Sequence, residues 1–494
     1  MTEGRRVVVI GAGIGGLAAS AILARDGYQV TLIEKRDEIG GRASCWKKDG
    51  FCFDMGPSWY LMPDIFERFF AEFNCSPSDF YKLKRLDPSY KIFFGDNDSL
   101  EISSDLSVNL ERFEQIEPGA SDAFRKYLEQ ARLKYNSAVS NFLYRELTSI
   151  FDFLNKEILK AGKDLHALEN LDHYTKRFFT SEKLRRVLEY SMVFLGGAPS
   201  NTPAIYSMLS HVDFNLGVWY PQGGMWSVVN AIKQLALRSG AKIITSCEAT
   251  QILVRNGIVK AVKTTNGDIP ADIALANADY PFVETILLER AYQSYPEKYW
   301  QKRVLAPSAI MMYLGLDGTL PNMSHHTLSF EQDWMEHFNS IFDHPEWPSK
   351  PSFYFCCPTK TDSSVAPQGC ENLVTLIPVA PGLEDTDQIR DAMCQKTFEC
   401  LKRITGIQVE SMIRIKRVFS HRDYISEYNA RKGTALGLSH TLMQSAIFRP
   451  RIASRKVRGL YYVGQYTHPG IGVPMALISA TVACNRIRKD RKIL

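Results

Sequence analysis

The sequence predicts an α/β fold: a parallel-stranded unit, a second sheet and a helical part. Two stretches and the length predict it. From Val7 to Ser44 the chain reads strand, glycine-rich turn, helix, strand, and from Gly459 to Asn485 it reads strand, glycine-rich loop, helix. At 494 residues the chain is also longer than one hydrophobic core usually fills, which implies two or more domains.

The N-terminal stretch carries the chemistry. Val7 to Ile10 are four β-branched residues suited to a buried strand, and GAGIGG follows at once. A helix from Leu17 to Arg25, a turn at Asp26-Gly27 and a second strand ending at Glu34 complete a βαβ unit. This is the G-x-G-x-x-G fingerprint in its proper context. Gly11 permits the tight turn, Gly13 lets a pyrophosphate approach the backbone, and Gly16 lets helix and strand pack closely. The helix N-terminus offers free N–H groups to phosphates, and Glu34 is placed to accept from the adenosine ribose hydroxyls. Arg5-Arg6 with the apolar run behind it could mimic a secretory signal or a membrane span. Four glycines within six residues weaken such a helix, and the second strand with its terminal acid explains more of the chain.

Composition narrows the class. The chain is 45% apolar and 23% charged with a net charge of +5, an excess too small to argue for nucleic acid. Its ten cysteines are scattered, with neither C-x-x-C nor a metal-ligand spacing, so reduced thiols in a cytoplasmic protein are expected. No metal site is expected. His325-His326 reads as structural, because no acid or cysteine stands nearby in the sequence.

Along the chain, Asp54 to Pro57 reads as a turn, and Pro63 fits the first turn of a helix. Ile65, Phe66, Phe69, Phe70 and Phe73 share one helix face, read as core. Residues 82–112 read as strands and 121–190 as helical. In the latter, aromatics beside basic residues (Tyr174 to Phe179) could dock on lipid. A helix from Met225 to Ser239, a strand at 241–245, a meander from Gln251 to Asp268 and a buried strand at Ile273 to Asn277 follow. Residues 307–317 and 372–380 read as strands of a second sheet. Gly459 to Asn485 holds no Asp, Glu, Lys or Arg, but its glycines and prolines break any continuous span. It reads instead as a strand (Leu460 to Val463), a ligand-approaching loop and a helix from about Pro474. The basic end, Arg486 to Lys492, is a solvated tail or a weak lipid contact.

After the fingerprint, Gly40-Gly41-Arg42 resembles the second diphosphate contact of glutathione-reductase-like FAD proteins, which the forked donors of Arg42 suit. With GPSWYLMP (56–63), GVWYPQGGM (217–225), ANAD (276–279), ALGLS (435–439), QSAIFRP (444–450) and GLYYVGQYTHPGIGVP (459–474), nearly the whole chain resembles the bacterial-type phytoene (carotenoid) desaturases. Departures from the family pattern fall at Gln465-Tyr466, Met475 and Ala249.

The resemblance implies a Rossmann-like FAD-binding domain (1–80, 217–290 and 452–494), a mixed-sheet substrate domain (81–120 and 291–451) and a helical, membrane-facing subdomain (121–216). It implies FAD held by Gly11, Gly13, Gly16, Glu34, Lys35, Gly41, Arg42, Gly56, Pro57, Ser58, Ala249, Gly464, Gly472, Val473 and Met475. The implied reaction is desaturation of phytoene or a related precursor. A hydride passes from an allylic carbon to flavin, oxygen or a quinone takes the electrons, and the enzyme sits peripherally on a membrane. His468 and Asp152 are the candidate acid–base residues. Alternatives are a carotenoid isomerase, a later-step desaturase or oxidase, a flavin amine oxidase, and a non-enzymatic protein of the GDP-dissociation-inhibitor type.

Overall fold

The computed structural model describes residues 4–95, 98–146, 169–330 and 334–491. Five strands form a parallel sheet in the spatial order Leu460–Tyr462, Ile273–Ala276, Arg6–Ile10, Gln29–Ile33, Lys242–Ile244. Val7 pairs with Val30 on one side and Ile273 on the other. Val7 to Ile10 are buried on both faces, as a central parallel strand requires. The helix Ile14–Arg25 is packed between the helices Met225–Arg238 and Val473–Arg491. That sandwich explains its small residues: every position from Ile14 to Ala24 is buried. The meander Ala249–Arg255, Ile258–Thr264, Gly267–Pro270 packs against the opposite face of the sheet.

A seven-stranded mixed sheet runs Ile413–Phe419, Ser308–Asp317, Cys370–Val379, Phe353–Cys356, His326–Phe330, Tyr90–Phe94, Ser99–Ile102. The pair Thr327–Lys91 is parallel, and the other ladders are antiparallel. Met393, Phe398 and Leu401 of the helix Asp387–Thr405 cover one face. Phe113, Phe124, Tyr127 and Leu184 from the helical segments join the core on the other.

Two of the motifs pair with each other. Tyr60 and Trp219 exchange backbone hydrogen bonds of 3.3 and 3.1 Å, and the Asp54 carboxylate accepts from the N–H groups of Met225 and Trp226 at 2.7 and 3.0 Å. Asp54 thus caps the helix Met225–Arg238. A Cβ on Gly224 would lie 2.5 Å from Asp54 Oδ2, so the close approach requires glycine there.

The structure differs from the sequence reading in three places. The segment read as strands through residue 112 turns helical at Leu106–Ile116, where the Asp105 side chain caps by accepting from Ser107 N at 2.9 Å. The first helix begins at Ile14, three residues earlier than read, because Gly15 and Gly16 lie inside its first turn. Tyr174 and Phe179 are each 1% exposed and pack around Tyr127, so they offer no aromatic surface to lipid. The phenylalanine face of Pro63–Ala71 is core, with Phe66 stacked on Tyr60 at 4.2 Å. Among the described residues, no helix is long and apolar enough to cross a membrane.

Candidate active site

A cavity of about 1190 Å³ runs from the parallel sheet to the mixed sheet. Its first end is built from the fingerprint. Gly11 N–H donates to Ile33 O at 2.8 Å, and Gly11 has φ +98°, a conformation that favours glycine. A Cβ on Gly16 would lie 2.1 Å from Gly11 O, and one on Gly13 would lie 2.9 Å from Asn277 Nδ2. Gly40 bridges to Gly13, and its N–H donates to Ala12 O at 2.8 Å, which brings Gly41 and Arg42 alongside the fingerprint turn. Gly13 caps the first helix without a side-chain hydrogen bond, and no acid stands in the first turn. The helix end is left to a ligand's negative charge.

Glu34 is 7% exposed. Its carboxylate accepts from Ala12 N at 2.8 Å and Arg36 N at 3.1 Å, which fixes it at the cavity edge beside Ala249. Lys35 lines the same edge, but its ammonium donates to Ser426 O at 2.6 Å and Asn429 Oδ1 at 3.2 Å, tying it to the end of the helix His421–Tyr428. Burial lowers its pKa. Arg42 faces Asp279 at 3.7 Å and lies over the Tyr428 ring. The Gln465 amide, with its oxygen toward Arg42, accepts at 3.0 and 3.2 Å. Arg42 Nε is buried without a partner among the described residues. Burial raises the Asp279 carboxyl to about 6 against the pull of Arg42.

The middle of the cavity joins Gly56, Pro57 and Ser58 to Gly464, His468, Gly472, Val473 and Met475. A Cβ on Gly56 would lie 2.3 Å from Arg42 O. The C-terminal loop is held from beneath by Arg449, which is buried and donates to the carbonyls of Thr467 and Leu438 (3.2 Å each), Gln444 (3.1 Å) and Gln465. His440 Nε2 accepts from Ile471 N at 3.1 Å, and a Cβ on Gly470 would lie 2.2 Å from that nitrogen. His468 Nε2 lies 3.1 Å from both Phe142 O and Leu143 O, so it carries the proton and donates. Its Nδ1 has no hydrogen-bond partner among the described residues, and burial lowers its pKa to about 4. Such an imidazole holds two carbonyls in place and is a weak base near neutral pH.

The far end is apolar, with Leu143, Val193, Leu195, Leu209 and Leu376 among its lining. One acid lining the cavity was missed by the sequence reading. Asp213, on the helical turn His211–Leu216, accepts from Tyr90 at 2.6 Å and Tyr190 at 3.3 Å through Oδ2, while Oδ1 is buried and has no partner among the described residues. Burial raises its pKa to about 7. Nothing in the surrounding VDFNLG marks this aspartate, because its partners come from residues far off in sequence. Of the residues expected at the site, Gly16 packs behind the cavity, Asp152 lies outside the described residues, and the others line the cavity.

Comparison with known proteins agrees with this geometry. Residues 14–488 match the family described as flavin containing amine oxidoreductase. The chain is 44% identical to the carotenoid 3,4-desaturase of Haloarcula japonica, over 99% of both chains. It is 33% identical to the zeta-carotene-forming phytoene desaturase of Myxococcus xanthus, over 98% of this chain and 94% of that one. An oxidoreductase from Methanosarcina mazei shares the fold at a TM-score of 0.63 and 17% identity, covering 98% of this chain and 100% of that one. The chain belongs to the flavin-containing amine oxidoreductases, and within them to the carotenoid desaturases. It is an FAD-dependent oxidoreductase. The uncapped helix end, the glycine cradle that no Cβ would fit and the unpartnered Arg42 Nε–H suit a dinucleotide diphosphate.

The low basicity of His468 sets an expectation. H468Q keeps a donor toward Phe142 and Leu143, so it lowers turnover by less than about tenfold and leaves the pH–rate profile between pH 6 and 9 unmoved. Steady-state rates across pH check it.

Proposed function

We propose that this chain desaturates a long carotenoid polyene in carotenoid biosynthesis. The observation that carries the reading is a continuous cavity, with a dinucleotide cradle at one end and an apolar channel at the other. A hydrocarbon offers no charged handle, so shape and apolar lining must bind it. FAD, when bound, accepts the hydride that leaves an allylic carbon. The chain's residues do the rest. Gly11, Gly13, Gly41, Arg42 and Glu34 hold the cofactor's diphosphate and ribose, while Arg449, His440 and His468 fix the loop at the cavity's middle. The proton lost by the substrate comes to rest on Asp213 Oδ1, and oxygen or a quinone removes the electrons.

Phytoene or a related precursor is one substrate. A later, already coloured carotenoid is the second, favoured because identity is higher to the 3,4-desaturase (44%) than to the phytoene desaturase (33%). Incubating FAD-loaded protein with each substrate in liposomes, and following polyene absorbance, decides between them. FAD-dependent red-shifted bands support desaturation. Turnover of the coloured substrate alone assigns the later step, and turnover of neither contradicts the reading. Turnover rises with pH through about 7 as Asp213 loses its proton, and D213N loses that limb and about 100-fold in rate with bound FAD unchanged.

The lipid-facing surface includes the turn 442–448, which borders the helical part: the Ser439 hydroxyl donates to Gly196 O, and the Tyr206 hydroxyl lies 2.7 Å from His440 Nδ1. Leu442, Met443 and Phe448 are 45%, 62% and 44% exposed, and Leu442 and Phe448 also line the cavity. This patch with exposed Arg451 beside it suits entry of an apolar substrate from a membrane. A triple L442S/M443S/F448S variant is expected to sediment less with anionic liposomes while retaining FAD. Unchanged sedimentation would place lipid contact elsewhere.

A further inference from the structure

A buried cluster behind the cavity wall has the donor set of a metal centre. The strand Phe353–Cys356 runs antiparallel to His326–Phe330 and sets Cys356 directly opposite His326, and Cys357 N–H donates to His325 O at 2.8 Å. Folding thus supplies the cysteine that the neighbouring sequence lacks. One atom each from His325, His326 and Cys356 lies within 4.8 Å of the other two, and all three side chains are buried.

Hydrogen bonds hold all three side chains, and the Tyr354 hydroxyl also meets the Cys356 thiol. His325 Nδ1 is 2.7 Å from Thr361 Oγ1, and His326 Nδ1 is 2.8 Å from the Tyr354 hydroxyl. Both Nε2 atoms are buried with no hydrogen-bond partner among the described residues. An imidazole fixed through Nδ1 and open at Nε2 is how histidine ligands are usually oriented. Two imidazoles and a thiol, with no carboxylate among them, select a thiophilic ion over calcium or magnesium.

We propose that His325, His326 and Cys356 bind one thiophilic d10 cation, Zn²⁺ or Cu⁺. Metal–nitrogen bonds of about 2.0 Å and metal–sulfur bonds of about 2.3 Å place donors roughly 3.3–3.7 Å apart, so the side chains close by about 1 Å on loading. Asp362 stands near: it accepts from Gly223 N at 2.7 Å and from Tyr220, whose ring lies 4.7 Å from His325. The ion would stiffen the cavity wall, since Trp59 stacks on His326 at 4.2 Å and Tyr354 lies 2.6 Å from Ser58. The site is independent of the identity of the polyene.

FAD-loaded protein, stripped with a chelator, is titrated anaerobically with Zn²⁺ and separately with Cu⁺ against a chromogenic competitor. One equivalent binds, with affinity reduced more than about 100-fold in C356S, about tenfold in T361V, and unchanged in C357S. The arm that binds tighter identifies the ion. Cobalt titration of the wild-type protein gives a sulfur-to-cobalt charge-transfer band even if C356S fails to fold. No stoichiometric binding, binding unaltered in C356S, or cobalt binding without that band overturns the proposal.

Discussion

The site depends on how closely the helix Ile14–Arg25 approaches the turn before it. A Cβ at Gly16 would sit 2.1 Å from Gly11 O, a distance no side chain tolerates. That approach aims the helix end at the cavity, and it lets Gly40 bridge to Gly13 so that a second loop closes over the first. The same closeness requires small residues on the flanking faces, which the helices Met225–Arg238 and Val473–Arg491 cover. One packing constraint therefore shapes both the hydrophobic core and the cofactor cradle.

The rest of the cavity is organised by buried charges bound to backbone. Arg449 donates to four carbonyls around the C-terminal loop, and Asp54 caps the helix that begins at Met225. Charged hydrogen bonds of this kind contribute about 1.5–3 kcal/mol each, which offsets the cost of burying the group. They fix a glycine-rich loop that could not hold itself. The substrate end needs no such network. Its chemistry is supplied by apolar lining and by Asp213, whose hydrogen bonds to Tyr90 and Tyr190 leave one oxygen without a partner among the described residues.

Much of this was legible in the sequence because it is local. The fingerprint, Glu34, the meander from Gln251 and the C-terminal strand–loop–helix all stand where local patterning puts them. What was not legible depends on pairing between distant segments. Asp213 acquires its character from Tyr90 and Tyr190, and Cys356 meets His326 only across a strand ladder. The aromatics near Tyr174 looked superficial because charges flank them, yet Tyr127 draws them into the core. The helix Leu106–Ile116 was missed because its Asp105 cap follows a strand within a few residues.

The central claim is that a polyene in the apolar channel delivers hydride to FAD in the glycine cradle. The most direct test is anaerobic mixing of FAD-loaded protein with a carotenoid substrate in vesicles, reading flavin absorbance and product together. The account predicts that the flavin bleaches as one new double bond appears per flavin, and that an amine leaves it oxidised. Bleaching by the amine and not by the carotenoid, or protein that retains no flavin, would contradict it.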